Sequence, residues 1–244
     1  MVRIKKVDAK IILDSRKEKT IFISIKTNVG TFSASAPNGK STGKNAKKIY
    51  KKDVEGDVKR IKESSDYFSE EKLEKFEDLR RIEDIVDGHI GANTLFALES
   101  AVLKAMASEQ KKQIWQLINP LSKKFPRLVG NCIGGGKHSS VLSEKKPDFQ
   151  EFLLIPNSKT IKESFGINKK AKKITKDILE KEDKKFEDKK NDENAFIVSL
   201  NEKEILDILR TLHIPLGLDI AASSFYKRLK YNYKNPVLKR TKEE

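Results

Sequence analysis

Three strings of this 244-residue chain bring together residue types and spacings that could do chemistry. The first, Pro37-Asn38-Gly39-Lys40-Ser41-Thr42-Gly43, contains Gly-Lys-Ser, the tail of a phosphate-binding loop. Such a loop needs a glycine five residues before the second one, so that successive backbone N–H groups can wrap the phosphates. Ala34 holds that position, inside an alternating run that reads as a strand, which disfavours nucleotide binding. An ordinary strand-to-helix turn is left, or a mobile loop presenting Ser41 to a ligand or metal. The second string is Asn131-Cys132-Ile133-Gly134-Gly135-Gly136-Lys137-His138, followed by Gln150-Glu151-Phe152. Three glycines after an apolar strand cost chain entropy and point to a close approach of the backbone to something. His138 beside them could donate to an anion or act as acid or base, and Lys137 favours a negative ligand. A flexible loop with a surface histidine is the alternative. The third comprises Asp192-Glu193 and Asp219. Asp219 lies in the apolar run Gly217-Leu218-Asp219-Ile220-Ala221-Ala222, where an unpaired carboxylate is costly and calls for a cation or strong donors. Glu193, in a charge-rich stretch, reads by composition as a solvated residue.

These residues need elements to position them. Ile21, Ile23 and Ile25 alternate with Phe22, Ser24 and Lys26, Asn28-Val29-Gly30 supplies a turn, and Thr31 to Ala36 alternate again, a hairpin joined by an earlier strand around Ile11 to Leu13. Residues 44–112 read as helical, with Leu95, Leu98, Val102 and Met106 at helical spacing behind the cap candidate Asn93. Sheet followed by helices is an α+β layout. From Phe125 the pattern changes to short apolar runs, Phe152 to Ile155 and Leu216 to Ile220, separated by helix-like stretches at 170–183 and 202–212. Strands alternating with helices predict parallel β/α units. Charges are dense over 181–194, where a solvated helix or loop is expected, and no internal repeat is present.

Composition bounds the function classes. With 37% hydrophobic residues the chain can build a real core, and its formal net charge of +15 attracts polyanions. The charge is mostly lysine, spread over many segments, and aromatic residues are 7% of the total. Readers of nucleic acid add arginine forks and stacking rings, so a generally basic, solvated surface is the preferred reading over RNA or DNA binding. The single cysteine, Cys132, excludes an internal disulfide and a thiolate zinc cage. No apolar run reaches the ~18 residues of a membrane helix and the N-terminus has no signal-peptide core, so a cytoplasmic protein is expected.

Taken in order, the strings resemble the enolase family. Ile12-Leu13-Asp14-Ser15-Arg16 is similar to the family's opening strand motif, Pro37 to Gly43 to its Pro-Ser-Gly-Ala-Ser-Thr-Gly loop, and Asp87-Gly88 with Gly91-Ala92-Asn93 to the start of its long helix. Asn131 to His138 resembles Asn-x-Ile-Asn-Gly-Gly-x-His, Gln150-Glu151-Phe152 its Gln-Glu-Phe, Asp192-Glu193 its Asp-Glu-Gly-Gly, and Gly217 to Phe225 its third conserved barrel strand. The resemblance implies an α+β N-terminal capping domain over residues 1–124, a small antiparallel sheet plus helices. An incomplete enolase-type β/α (TIM-like) barrel over 125–244 follows.

It further implies magnesium-dependent interconversion of 2-phosphoglycerate and phosphoenolpyruvate. By the resemblance Asp219 is one of three carboxylate ligands of a first Mg2+, and Ser41 reaches a second. His138 lies near the substrate phosphate or leaving group, Glu193 with Glu151 forms the acid that helps hydroxide depart, and Gln150 orients that pair and binds substrate. The family's other two metal carboxylates, base lysine and substrate-binding arginine fall beyond Glu244. The chain alone is therefore expected to be inactive and to need a complementing C-terminal enolase polypeptide or a homo-oligomer, unless it is a fragment of a longer protein. The other expectation is a non-catalytic enolase paralog with a basic RNA- or protein-binding surface. Departures from the pattern include Arg16 to Thr20 in place of a glycine-asparagine-proline turn, Gly134 for an asparagine, and Asn194-Ala195 for two glycines.

Overall fold

The computed structural model describes residues 1–39, 43, 45–69, 71–139 and 145–244. The chain forms two compact units, Met1–Gly39 with Asn45–Lys124, and Phe125–Glu244. In the first unit, strands β1 (Val2–Leu13), β2 (Lys19–Thr27), β3 (Gly30–Ala36) and β4 (Lys72–Leu73) make an antiparallel sheet in the order β3-β2-β1-β4. The first strand runs for twelve residues, well beyond the Ile11 to Leu13 segment expected from alternation. A register shift between Ile4 and Lys6 explains why. Buried positions go Val2, Ile4, then Val7, Ala9, so the period-2 signal changes phase at the bulge.

The face built from Ile21, Ile23, Ile25, Val7, Ala9 and Ala34 is covered by helix α3 (Ala92–Glu109), which lies across β2 and β3, with α1 (Val54–Glu63) and α2 (Leu79–Val86) completing the layer. Leu98, Val102 and Met106 are fully buried on α3 as their spacing predicts, each burial contributing about 1.5–3 kcal/mol. The cap of α3 is Gly91 rather than Asn93. Asn93 is the second residue of the helix, and its side-chain amide donates to Pro37 O (3.2 Å) and Asn38 Oδ1 (3.4 Å). The start of α3 is instead held by Asp57 of α1, a buried carboxylate that accepts from Gly91 N (2.8 Å) and Thr94 Oγ1 (2.6 Å). A short helix α4 (Ile114–Ile118) ends the unit's regular structure.

In the second unit, β5 (Gly130–Gly134), β6 (Glu151–Leu154), β7 (Phe196–Ile197) and β8 (Leu216–Asp219) form an open sheet in the order β7-β5-β6-β8. Helices α5 (Ile161–Glu182) and α6 (Glu202–Arg210) enclose a core of Ile133, Phe152, Leu154, Leu179, Ile205 and Leu209 with it. Capping is local. Thr160 accepts from Glu163 N at the start of α5, and Asn201 with Glu204 forms a reciprocal capping box at α6. The expected parallel arrangement holds for β5 and β7 alone; β6 is antiparallel to both neighbours. No α-helix intervenes between β5 and β6 among the described residues, and without a crossover the chain must return antiparallel.

A separate three-stranded antiparallel sheet, β9 (Tyr226–Lys227), β10 (Lys230–Lys234) and β11 (Val237–Arg240), follows. Lysines that lie close together in sequence are brought to one side here. Lys227 faces Lys230, Asn232 faces Lys239, and positions two apart on β10 share a side, so Lys227, Lys230, Lys234 and Lys239 occupy one face. No helix among the described residues is long and apolar enough to cross a membrane.

Candidate functional site

The glycines after β5 have a structural cause. A Cβ on Gly135 would lie 2.3 Å from Phe149 O, and one on Gly134 would lie 2.4 Å from Asn191 Nδ2. The close approach inferred from sequence is thus to the protein's own backbone and to Asn191. Gly135 N donates to Gln150 O (2.9 Å) and Gly136 N to Pro147 O (2.9 Å), locking this turn against the entry of β6. The chain then winds into a 3-10 turn, Gly136–Ser139, which delivers His138 to the interior. Its side chain is 4% exposed, not on a surface loop.

His138 Nδ1 lies 3.0 Å from Glu193 Oε2 and 3.3 Å from Glu151 Oε1. Both distances suit an ion pair with protonated imidazole, although neither oxygen lies on a hydrogen-bonding line from the ring. Glu193, although exposed, is therefore held against a buried histidine and a half-buried glutamate rather than standing free in a charged stretch. Its turn is fixed by Asn191, whose Oδ1 accepts from Glu193 N (3.0 Å) and Ala195 N (2.9 Å). Asn194, with φ 62°, takes the left-handed conformation that a glycine would adopt, and asparagine is among the residues that tolerate it best.

Burial, a hydrogen bond with Glu193, the charge of Glu193 and then that of Asp219 push the Glu151 carboxyl up to about 7. The two glutamates share a proton that Glu151, the less exposed partner, carries near neutral pH. An acid with a raised pKa favours the folded state while it is protonated, and that contribution is lost as pH rises through the folded value. A carboxyl-carbon NMR titration of Glu151 should have its midpoint near 7 and move towards the ordinary carboxylate range in Glu193→Gln. A midpoint in the ordinary range for the unaltered chain contradicts the shared proton.

Asp219 ends β8, the outer strand of its sheet, and is exposed. The apolar run around it does not bury it, because nothing among the described residues pairs with the far edge of β8. Its Oδ1 accepts from Ala221 N (3.1 Å) and its Oδ2 from Gln150 Nε2 (3.4 Å). Gln150 is buried and reaches Asp219; its own Oε1 lacks a hydrogen-bond partner among the described residues. Glu151 and Asp219 sit directly opposite each other on β6 and β8. Ser41 lies outside the described residues. A group that sequence reasoning left without a role is Asn131, whose Nδ2 donates to Glu193 Oε2 (3.1 Å). Its place at the head of the string that ends in His138 was the available signal.

Two donor sets could meet a cation. His138, Glu151 and Glu193 offer one nitrogen and two oxygens within 4.8 Å of one another, a mixed set that suits borderline transition metals better than magnesium. Asp219 offers an exposed, oriented carboxylate, the hard oxygen that magnesium prefers, and fits that ion as one ligand.

Residues 4–118 match the family described as Enolase, N-terminal domain. The chain is similar to the protein named Enolase of Methanosphaera stadtmanae, 32% identical over 96% of this chain and 61% of that relative. It is likewise similar to those of Methanothermobacter thermautotrophicus, 29% identical over 91% and 58%, and Thermoplasma acidophilum, 28% identical over 98% and 63%. The chain spans about 60% of the length of these curated relatives. Residues 4–118 thus belong to the enolase N-terminal domain family, and nearly the whole chain is similar to about three fifths of proteins named Enolase.

Proposed function

We propose that this chain supplies the proton-donating side of a site that dehydrates 2-phosphoglycerate to phosphoenolpyruvate. Residues 1–124 act as the capping domain and 125–244 as the first part of a β/α barrel that the remaining segment of an enolase would complete. The observation that carries this reading is the contact of His138 with Glu151 and Glu193 in a setting that raises the Glu151 carboxyl to about 7. Loss of hydroxide requires an acid that still holds its proton at neutral pH, which a crowded carboxyl pair provides.

In this reading Glu193 and Glu151 hold and deliver the proton, and Asn131 keeps Glu193 turned towards them. His138 adds a donor for the leaving group or phosphate. Gln150 orients Asp219, and Asp219 would hold the first of two Mg2+ ions, with Ser41 reaching the second. When bound, magnesium supplies positive charge against the substrate carboxylate. The base belongs to that completing segment. The test mixes the purified chain with 2-phosphoglycerate, Mg2+ and a separately expressed C-terminal portion of the M. stadtmanae relative, following phosphoenolpyruvate absorbance. Turnover is expected from the mixture, lost on chelation, and from neither part alone. A chain that stays monomeric and silent with every completing portion sinks the proposal.

A further inference from the structure

The lysine face of the β9-β10-β11 sheet goes beyond that reading. Its opposite face is occupied by rings. Tyr231 and Tyr233 pack on Phe225 at centroid distances of 5.9 and 5.2 Å, and Phe149 lies 6.4 Å from Tyr233. The sheet is therefore anchored by one side, while Lys227, Lys230, Lys234 and Lys239 are exposed on the other. From Tyr226 to Arg240 the sequence has six cationic side chains and no acidic one. The neighbouring acids are engaged. Asp148 accepts from the backbone of Lys234 (2.7 Å), and Glu244 is held low by hydrogen bonds with Thr241 and then by Arg240 and Lys230.

This end of the sheet is not arranged for stability. Lys227 and Lys230 oppose each other directly, and like charges in that position destabilise a strand pair. Arg228 (φ 51°) and Leu229 (φ 62°) fill a two-residue turn in left-handed conformations, where Asn-Gly is the low-cost choice. Local strain and like-charge repulsion at one exposed edge are features of a surface that meets a ligand.

We infer that this face docks the phosphate backbone of duplex DNA without regard to sequence. A two-stranded ribbon such as β10-β11 is the size that enters the major groove of B-form DNA, whereas the A-form major groove is too narrow. No ring lies on the lysine face to stack bases, which disfavours single strands. Val237 is its one exposed apolar side chain, too little for a membrane wedge. Lysines are point charges that contact phosphate, and the Asn232 Nδ2 is already committed to the carbonyls of Lys230 (2.9 Å) and Lys227 (3.3 Å), so no base is read.

The test is fluorescence anisotropy of a short labelled mixed-sequence duplex with the full chain across a salt series. A slope of log affinity against log salt between about −3 and −4 is expected for four neutralised phosphates. K227Q/K230Q/K234Q/K239Q should weaken binding at least about tenfold at low salt and flatten the slope. The control K162Q/K169Q/K170Q/K173Q, on the exposed side of α5, removes the same charge and should change affinity less than about threefold. The sheet variant should melt no lower than the parent, because its repulsion is relieved. Equal losses in both variants, a destabilised sheet variant, or tighter binding to a single-stranded oligonucleotide or to phosphatidylserine vesicles overturns the inference. None of these readouts depends on dehydration of 2-phosphoglycerate.

Discussion

Glu193→Gln in the reconstituted assembly should lower turnover of 2-phosphoglycerate by roughly 10²–10⁴-fold, the usual worth of a positioned general acid. The amide keeps the size of the side chain, so the contact with Asn131 can persist while the shared proton with Glu151 is lost. An acid acts as the bond to hydroxide breaks, so kcat should fall with KM nearly unchanged. Activity of the unaltered assembly should decline as pH rises through about 7, where Glu151 gives up its proton. His138→Gln should weaken both constants if, as proposed, that ring meets the substrate as well as the acids. If Glu193→Gln retains more than about a tenth of the rate, the glutamate pair is not the acid.

Asp57→Ala should cost about 3–5 kcal/mol of folding stability without touching that site. The carboxylate is 1% exposed and accepts from three groups, Lys51 N (3.1 Å), Gly91 N (2.8 Å) and Thr94 Oγ1 (2.6 Å). Removing it strands the Gly91 and Thr94 donors away from water, at about 1–3 kcal/mol each, and unfastens the start of α3 from α1. Thr94→Val, which deletes one donor and its need together, should cost far less. Trp115 is the chain's one tryptophan and lies in the same unit, so its fluorescence in a urea titration follows this loss. A change below about 1 kcal/mol for Asp57→Ala would show that water replaces the carboxylate.

Local patterns along the chain carried a large share of this architecture. Alternation at Ile21, Ile23 and Ile25 and helical spacing at Leu98, Val102 and Met106 report directly which face is buried, because the strand and helix periods fix side-chain direction before any tertiary contact forms. The order of short motifs from Ile12 to Tyr226 was enough to place the chain in its family. Asn93 was misread as a cap because the sequence cannot reveal that a carboxylate from another helix, Asp57, satisfies the backbone of Gly91. The bulge in β1 hid half of that strand by changing the phase of its alternation.

At the site, residue types were legible and distances were not. That His138, Glu151 and Glu193 meet depends on a 3-10 turn, a strand and a loop brought together by folding, across as many as 55 positions of chain. The proton between Glu151 and Glu193 is held because folding withdraws Glu151 from water beside the charge of Glu193. Asp219 went the other way, since an apolar neighbourhood in sequence became an exposed sheet edge in space. The lysines show the same limit, because their closeness along the chain says nothing of strand register, and register put four of them on one face. Sequence by itself thus determined which elements form and which family they compose, through local periodicity and ordered motifs. Tertiary structure decided which charges meet, because proximity between distant segments is what sets the electrostatics of a site.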